Sequence, residues 1–266
     1  MSELAGRAAF VTGAGSGIGR ASSLGLARRG AYVWVTDVDE AGAEGTAELI
    51  AREGGRAAAV RLDVSDEAQW TAALARSDDR DEALTVLVSC AGRSMIADTA
   101  TMPLADLRSL LAVSVEGTFL GMKHAIPRIA GSGGGAVVTI SSLAGLKGIP
   151  GMAAYCATKG AIRMMTKAVA LECAELRNGV RVNSVHPGVV DTPAWHKHDP
   201  EEVGRSRHGS PGARVLDPHV VAETAVPIGV ACSPAEVADT VCFLASDAAR
   251  HITGAEIAID GGMTAG

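Results

Sequence analysis

A single α/β domain, with a doubly wound, seven-stranded parallel sheet covered by helices on both faces, is predicted by three observations. Short apolar runs alternate with amphipathic segments along the chain, the order that builds a parallel sheet. The core-forming residues are aliphatic, since 47% of the 266 residues are hydrophobic and only 3% aromatic. That bias suits strands buried on both faces. A glycine-rich turn follows the first apolar run, at 12–19.

Strands are expected at 8–12, 31–36, 56–62, 85–89, 136–140, 180–185 and 256–259. Helices are expected at about 17–29, 41–53, 67–75, 104–129, 153–176 and 234–244, where the apolar period changes from two to near 3.6. Gly131-Ser132-Gly133-Gly134-Gly135 reads as a joint between a helix and the fifth strand, not a linker between domains. The polar stretch 193–218, broken by Pro200, Gly204, Gly209, Pro211 and Gly212, reads as a flap over a substrate. One domain therefore spans 1–266.

Composition removes several classes of function. The net charge is −6 and basic residues are scattered, so nucleic acid is not an expected partner. No apolar run reaches the ~18 residues of a membrane helix, and the first ten residues lack a signal peptide's features. A cytoplasmic protein is expected. The five cysteines, Cys90, Cys156, Cys173, Cys232 and Cys242, contain no C-x-x-C pair, so neither a disulfide framework nor a zinc site is signalled. His196-Lys197-His198 lacks further ligands at metal spacing, and no metal is expected.

The turn Thr12-Gly13-Ala14-Gly15-Ser16-Gly17-Ile18-Gly19 joins the first strand to the first helix. Glycines there let the backbone approach a pyrophosphate, while free N–H groups and the positive helix dipole attract its charge. A plain strand-to-helix turn would use similar residues. Asp37 makes the signal specific: it ends the second strand, eighteen residues past Gly19, where a carboxylate accepts hydrogen bonds from adenosine ribose. Asp37 also selects the cofactor, because the 2′-phosphate of NADP would bring about −1.5 to −2 charges toward it. Unit charges about 4 Å apart repel by ~4 kcal/mol at an effective dielectric of about 20. Neither Ser16 nor Val38 supplies a cation, so NAD is expected.

Tyr155-Cys156-Ala157-Thr158-Lys159 opens a predicted helix, and a spacing of four puts Tyr155 and Lys159 on one face. A free phenol titrates near ~10 and is a poor base at neutral pH. An ammonium at about 4 Å would supply up to ~4 kcal/mol, or about three pKa units, toward lowering it, with the charged nicotinamide adding to it. Thirteen residues before Tyr155, Ser141 and Ser142 end the fifth strand, at the carboxyl edge where ligands bind in such sheets. A serine hydroxyl there can donate to a substrate oxygen; position alone does not separate the two serines.

These features together resemble the short-chain dehydrogenase/reductase family over nearly the whole chain. The resemblance rests on the glycine turn, Asp63-Val64 after the third strand, Ala91-Gly92 after the fourth, and the set Ser142, Tyr155 and Lys159. It extends to Asn183-Ser184-Val185-His186-Pro187-Gly188 and to the ending Thr253-Gly254-Ala255-Glu256 through Asp260-Gly261-Gly262. It implies a Rossmann fold. It further implies that Gly13, Ser16, Gly17, Ile18, Gly19 and Asp37 bind cofactor, that Asp63 and Val64 hold adenine, and that Ala91 and Gly92 pass close to the nucleotide. Pro187 and Gly188 belong to the cofactor site, and Val190 and Thr192 contact the nicotinamide side. By the same resemblance Ser142 orients substrate, Tyr155 is the acid/base, and Lys159 lowers its pKa and binds nicotinamide ribose.

Two positions depart from the family pattern. Ser89-Cys90 precede Ala91-Gly92 where the family usually has two asparagines, so the strand-end hydrogen bonding must differ. Ser114 stands where the family usually carries a catalytic asparagine in a proton relay. Because any residue supplies the backbone carbonyl at position 114, the relay is expected to survive.

The resemblance implies an NAD-dependent oxidoreductase interconverting a secondary alcohol and a ketone, with an apolar substrate such as a hydroxysteroid. A 3-oxoacyl carrier-protein reductase is a second enzymatic reading, opposed by Asp37 and by the lack of a cationic cluster beyond Arg205 and Arg207. A nucleotide-responsive regulatory protein without turnover is the reading from another class, suggested by Cys90 and Ser114. The helix after Tyr155 carries Ala161, Ile162, Met164, Met165, Ala168, Val169 and Leu171 on more than one face. It needs a second cover, which the family commonly provides by subunit pairing, so a homo-oligomer, often a tetramer, is expected.

Overall fold

The computed structural model describes residues 3–78, 80–196 and 217–265. Strands β1 (Arg7–Thr12), β2 (Tyr32–Asp37), β3 (Arg56–Arg61), β4 (Ala83–Ser89), β5 (Gly135–Ile140), β6 (Val180–Pro187) and β7 (Glu256–Ile259) form one sheet in the order β3-β2-β1-β4-β5-β6-β7. All neighbouring pairs run parallel. The order reverses between β1 and β4, so the loops leaving those strands diverge and open a crevice at the carboxyl edge.

The described helices are α1 (Gly17–Arg28), α2 (Glu40–Arg52), α3 (Glu67–Asp78), α4 (Leu104–Leu111), α5 (Gly117–Gly131), α6 (Ala153–Glu175), α7 (Pro218–Ala225) and α8 (Pro234–Ala245). Alternate side chains of a strand face opposite layers, and β1 shows the consequence. Ala9 and Val11 pack into the layer holding Leu26 of α1, Ile50 of α2 and Val241 of α8. Ala8 and Phe10 pack into the layer holding Trp70 of α3, Met122 of α5 and Cys173 of α6.

Few aromatic residues are available, and they are concentrated. Trp70 stacks on Phe10 with ring centroids 5.7 Å apart, and its indole N–H donates to the Val64 carbonyl at 2.9 Å. Gly121 makes room for it, since a Cβ there would lie 2.9 Å from the indole ring.

Two elements differ from the sequence reading. The helix expected at 104–129 is broken by a π-helical turn at Ala112–Glu116 between α4 and α5. Such a turn inserts one extra residue per turn and re-aims the side chains around it; here it carries Ser114 into a fully buried position. Helix α7, which the sequence did not lead us to expect, begins at Pro218, the last residue of the stretch read as a flap, with the Asp217 side chain accepting from the His219 amide at its start. Of the expected flap, residues 197–216 lie outside the described residues.

Candidate active site

The turn between β1 and α1 is held by close backbone approach. A Cβ on Gly13 would sit 2.8 Å from the Ala91 Cα, and one on Gly19 would sit 2.2 Å from the Gly13 carbonyl oxygen. Only hydrogen fits at those places. Ser16 caps α1 without a side-chain bond, and the Arg20 amide is the one that reaches back to the Ser16 carbonyl. The first-turn amides of Gly17, Ile18 and Gly19 thus have no intrahelical partner and face the crevice with the positive end of the dipole.

Asp37 sits at the end of β2 beside this turn. Its Oδ2 accepts from the Gly15 amide at 2.9 Å and its Oδ1 from the Asp39 amide at 3.0 Å. Each oxygen retains acceptor capacity for a hydroxyl. The guanidinium of Arg20 does not serve as a counter-cation: it donates to the Gly15 carbonyl and to Thr46 Oγ1. A Cβ-free cradle, unpaired helix-start amides and an oriented carboxylate fit the pyrophosphate and ribose of a dinucleotide.

Thr12 explains how the strand end works without the usual asparagines. Its hydroxyl accepts from both the Cys90 and Ala91 amides at 3.1 Å, while Ser89 donates to Thr118 Oγ1 at 3.2 Å. Cys90 keeps some exposed surface, yet desolvation pushes its thiol up to about 12 against the pull of Lys159. Such a thiol stays protonated and unreactive at neutral pH.

The two serines that sequence left unresolved have different jobs in the geometry. Ser141 donates to the Lys159 backbone carbonyl at 2.9 Å, so its hydroxyl is spent on joining β5 to α6. Ser142 accepts from the Ala144 amide at 3.2 Å, and its hydroxyl lies close enough to the Tyr155 phenol to draw its pKa downward. Lys159 reaches back along the same junction, its Nζ donating to the Ile140 carbonyl at 2.8 Å and lying 5.6 Å from the centre of the Tyr155 ring.

Burial opposes the pull expected of the lysine on the tyrosine. Burial pushes the Tyr155 phenol above its ordinary range, with the Ser142 hydrogen bond pulling the other way. The ring remains partly open to the cleft, so solvent tempers the upward push. The lysine does not overcome it, because burial pushes Lys159 itself down to about 8. A pairwise attraction counted from helix spacing omitted the desolvation of both partners.

The remaining expected residues fall around the crevice. A Cβ on Gly92 would stand 3.5 Å from Lys159 Nζ and 3.6 Å from Ser114 Oγ, so these three residues meet. Among the described residues the buried Ser114 hydroxyl has no hydrogen-bond partner, while its carbonyl accepts from Thr118 at 2.7 Å. Thr192 packs 3.3 Å from where a Gly17 Cβ would lie, and Val190 bridges to Cys232. A Cβ on Gly188 would meet Asp260, holding Pro187-Gly188 against the end of β7. Asp63 turns its carboxylate onto the Ser65 amide and hydroxyl, and Val64 lies under Gly117 of α5. Cys156 is half-buried. His219 pairs with Asp191 at 3.3 Å; His198 and His208 lie outside the described residues. Sequence reasoning missed the structural use of Ser141 and Thr12, and passed over His186 within its motif.

The chain is similar to known proteins over nearly its whole length. A family model described as enoyl-(acyl carrier protein) reductase matches residues 13–264. The chain is 36% identical over 263 residues to a 2,5-dichloro-2,5-cyclohexadiene-1,4-diol dehydrogenase, LinX, of Sphingobium indicum, covering 99% of this chain and 98% of that one. It is 35% identical over 267 residues to a cyclopentanol dehydrogenase of a Comamonas species, covering 100% of both. The fold is similar to the crystal structure of a short-chain type dehydrogenase/reductase from Mycobacterium marinum, at TM-score 0.87 and 30% identity over 99% of this chain and 98% of that one.

The depressed Lys159 value makes a stability prediction. Between about 8 and 10.5 the folded lysine has lost the proton that the unfolded one keeps, so the burial penalty is full below pH 8 and fades as pH rises toward 10.5. Lys159→Met is therefore expected to raise the thermal midpoint at pH 7, by about 2–4 °C for each kcal/mol of penalty removed. The gain should shrink toward pH 10. Thermal unfolding followed by circular dichroism across that range checks it, and a midpoint that falls at pH 7 would contradict it.

Proposed function

Since the chain belongs to the short-chain dehydrogenase/reductase family, oxidoreductases acting on CH–OH groups, we propose that it uses NAD(H) to interconvert a ring-bearing secondary alcohol and its ketone at Ser142, Tyr155 and Lys159. The observation that carries this reading is the junction of β5 and α6, which sets a hydroxyl, a phenol and an ammonium together beside the glycine cradle. The relatives' names support the ring, being dehydrogenases of cyclic alcohols. Hydroxysteroids belong to the same chemical class.

The nicotinamide supplies the hydride acceptor for the alcohol or the donor for the ketone. Ser142 donates to the substrate oxygen and holds it against Tyr155. Tyr155 takes the hydroxyl proton in oxidation and returns it in reduction. Its phenol, raised in the free protein, needs added positive charge to act as a base, charge that a bound oxidised nicotinamide would supply. Ser114, with its buried and unpartnered hydroxyl near Lys159 Nζ, supports a proton path through ordered water.

The cradle of Gly13, Ser16, Gly17, Ile18 and Gly19 receives the pyrophosphate, Asp37 the adenosine ribose, and Asp63 and Val64 the adenine. Ala91 and Gly92 pass close to the nucleotide, Pro187 and Gly188 belong to the cofactor site, and Val190 and Thr192 contact its nicotinamide side. NAD is favoured over NADP because Asp37 stands where a 2′-phosphate would go and Arg20 is already committed. We place the chain as one domain over 1–266 with a substrate cover at 193–218. It works in the cytoplasm; no described helix is long and apolar enough to cross a membrane. Exposed Met164 (61%) and Leu171 (67%) on α6 and Phe119 (51%) on α5 support subunit pairing into a homotetramer. The carrier-protein and regulatory readings are not favoured, since full-length relatives are small-alcohol dehydrogenases.

Two measurements check this function. Tyr155→Phe should lower turnover with cyclic secondary alcohols about 10²–10⁴-fold while NADH binding, read by fluorescence, stays near its original strength. Retention of more than about a tenth of the rate would move proton transfer elsewhere. In kcat/KM, NAD should exceed NADP at least about ten-fold, a preference worth about 1.4 kcal/mol, and Asp37→Ala should narrow the gap. Equal use of both cofactors by the unaltered protein would remove the charge argument.

A further inference from the structure

His186 is fully buried at the end of β6, and nothing in the proposed chemistry uses it. The sheet ladder between β5 and β6 ends where the Ser141 amide donates to the Val185 carbonyl at 2.9 Å. Beyond that rung the chain at Ser142 leaves the sheet for a short 3₁₀ turn, Leu143–Gly145. The Ser142 carbonyl accepts from the Gly145 amide within that turn at 2.9 Å. Its second acceptor position faces His186 Nδ1 at 3.1 Å, a contact that comes from outside the turn.

A carbonyl only accepts, so Nδ1 carries the ring proton. Nε2 is then an acceptor in the neutral ring, and Ser184, two residues back on the same strand face, donates to it at 2.8 Å. The alternative target for the Ser184 hydroxyl, the Ala255 carbonyl at 3.4 Å, is the weaker one. A second ring proton would force the serine to turn there. Burial is the largest influence and, with Lys159 and Arg163 on α6, opposes that proton, while the Ser142 carbonyl bond and Glu256 on β7 favour it; the balance pushes His186 below its ordinary value. The ring stays neutral, in one tautomer, with both nitrogens bonded.

We infer that His186 is a positioning residue for Ser142: its neutral imidazole pins the Ser142 carbonyl to β6 and so fixes the angle at which the Ser142 hydroxyl meets Tyr155 and the substrate oxygen. The inference rests on the proposed role of Ser142. Without the imidazole the Ser142 carbonyl keeps only the Gly145 amide, and a displacement of about 1 Å at such a hydroxyl costs up to about 10²-fold in rate.

The test uses His186→Leu, which removes the donor, His186→Asn, whose side-chain N–H falls where Nδ1 was, and His186→Gln, whose amide falls near Nε2. Each is made in the full chain and on a Ser142→Ala background, with NADH binding by fluorescence and kcat and KM for cyclohexanol as readouts. His186→Leu should lose about ten-fold or more in kcat with NADH affinity within about two-fold, and His186→Asn should recover most of that loss. On the Ser142→Ala background the His186 substitutions should add little, because the group they position is gone. If His186→Leu does not accumulate as folded protein, Asn outperforming Gln carries the same conclusion. Unchanged kcat in His186→Leu, equal losses in Asn and Gln, or an undiminished loss on the Ser142→Ala background would overturn the inference alone. Full activity of Ser142→Ala would instead overturn the reading of the serine, and the positioning role with it.

Discussion

The site depends on a reciprocal tie between the end of β5 and the first turns of α6. Ser141 donates its hydroxyl to the Lys159 backbone carbonyl while the Lys159 ammonium donates to the Ile140 carbonyl. Two bonds in opposite directions fix both the distance and the rotation of the helix relative to the strand. Gly145 lets them form, since a Cβ there would lie 2.7 Å from both the Lys159 carbonyl oxygen and Ser141 Oγ. With the helix set in this way, Tyr155, one turn earlier, is brought to the Ser142 hydroxyl.

That tie is expensive in the resting protein. It holds an ammonium almost out of water, with Lys159 only 5% exposed, and leaves a neighbouring phenol shifted away from ionisation. The phenol's penalty is of the kind that positive charge from a bound oxidised nicotinamide would offset, because the phenolate would then gain a cationic neighbour in a poorly screened site. The nearby Ser114 hydroxyl, buried and unpartnered among the described residues, is a third unfavourable group at the same place. Unfavourable groups gathered at one strand edge, inside a sheet whose other layers are aliphatic and closely packed, are the pattern of a fold that spends stability where it does chemistry.

The strands were legible because each is an aliphatic run whose neighbours in sequence are amphipathic, and the cradle was legible because glycine is required wherever backbones approach within a Cβ radius, as at Gly13 and Gly19. Tyr155 and Lys159 were legible from their spacing. The rest depended on tertiary facts. Ser141 and Ser142 are adjacent residues of one type, separated only by which way β5 turns its last side chains. The π turn at Ala112–Glu116 has no local code, since the same residues suit an ordinary helix. The phenol's environment was only partly legible, because spacing reveals a partner but not the loss of water around both groups.

The chain contains only two tyrosines, Tyr32 and Tyr155, which makes the central electrostatic claim directly measurable. Protein labelled with ¹³C at the tyrosine ζ carbons would give two resonances, assigned with Tyr155→Phe and titrated with and without saturating NAD⁺. The expected result is a Tyr155 phenol that ionises above about 10 in the free protein and moves down by at least about one unit when NAD⁺ binds. A Tyr155 resonance already ionised at neutral pH in the free protein, or one that NAD⁺ leaves unmoved, would contradict it.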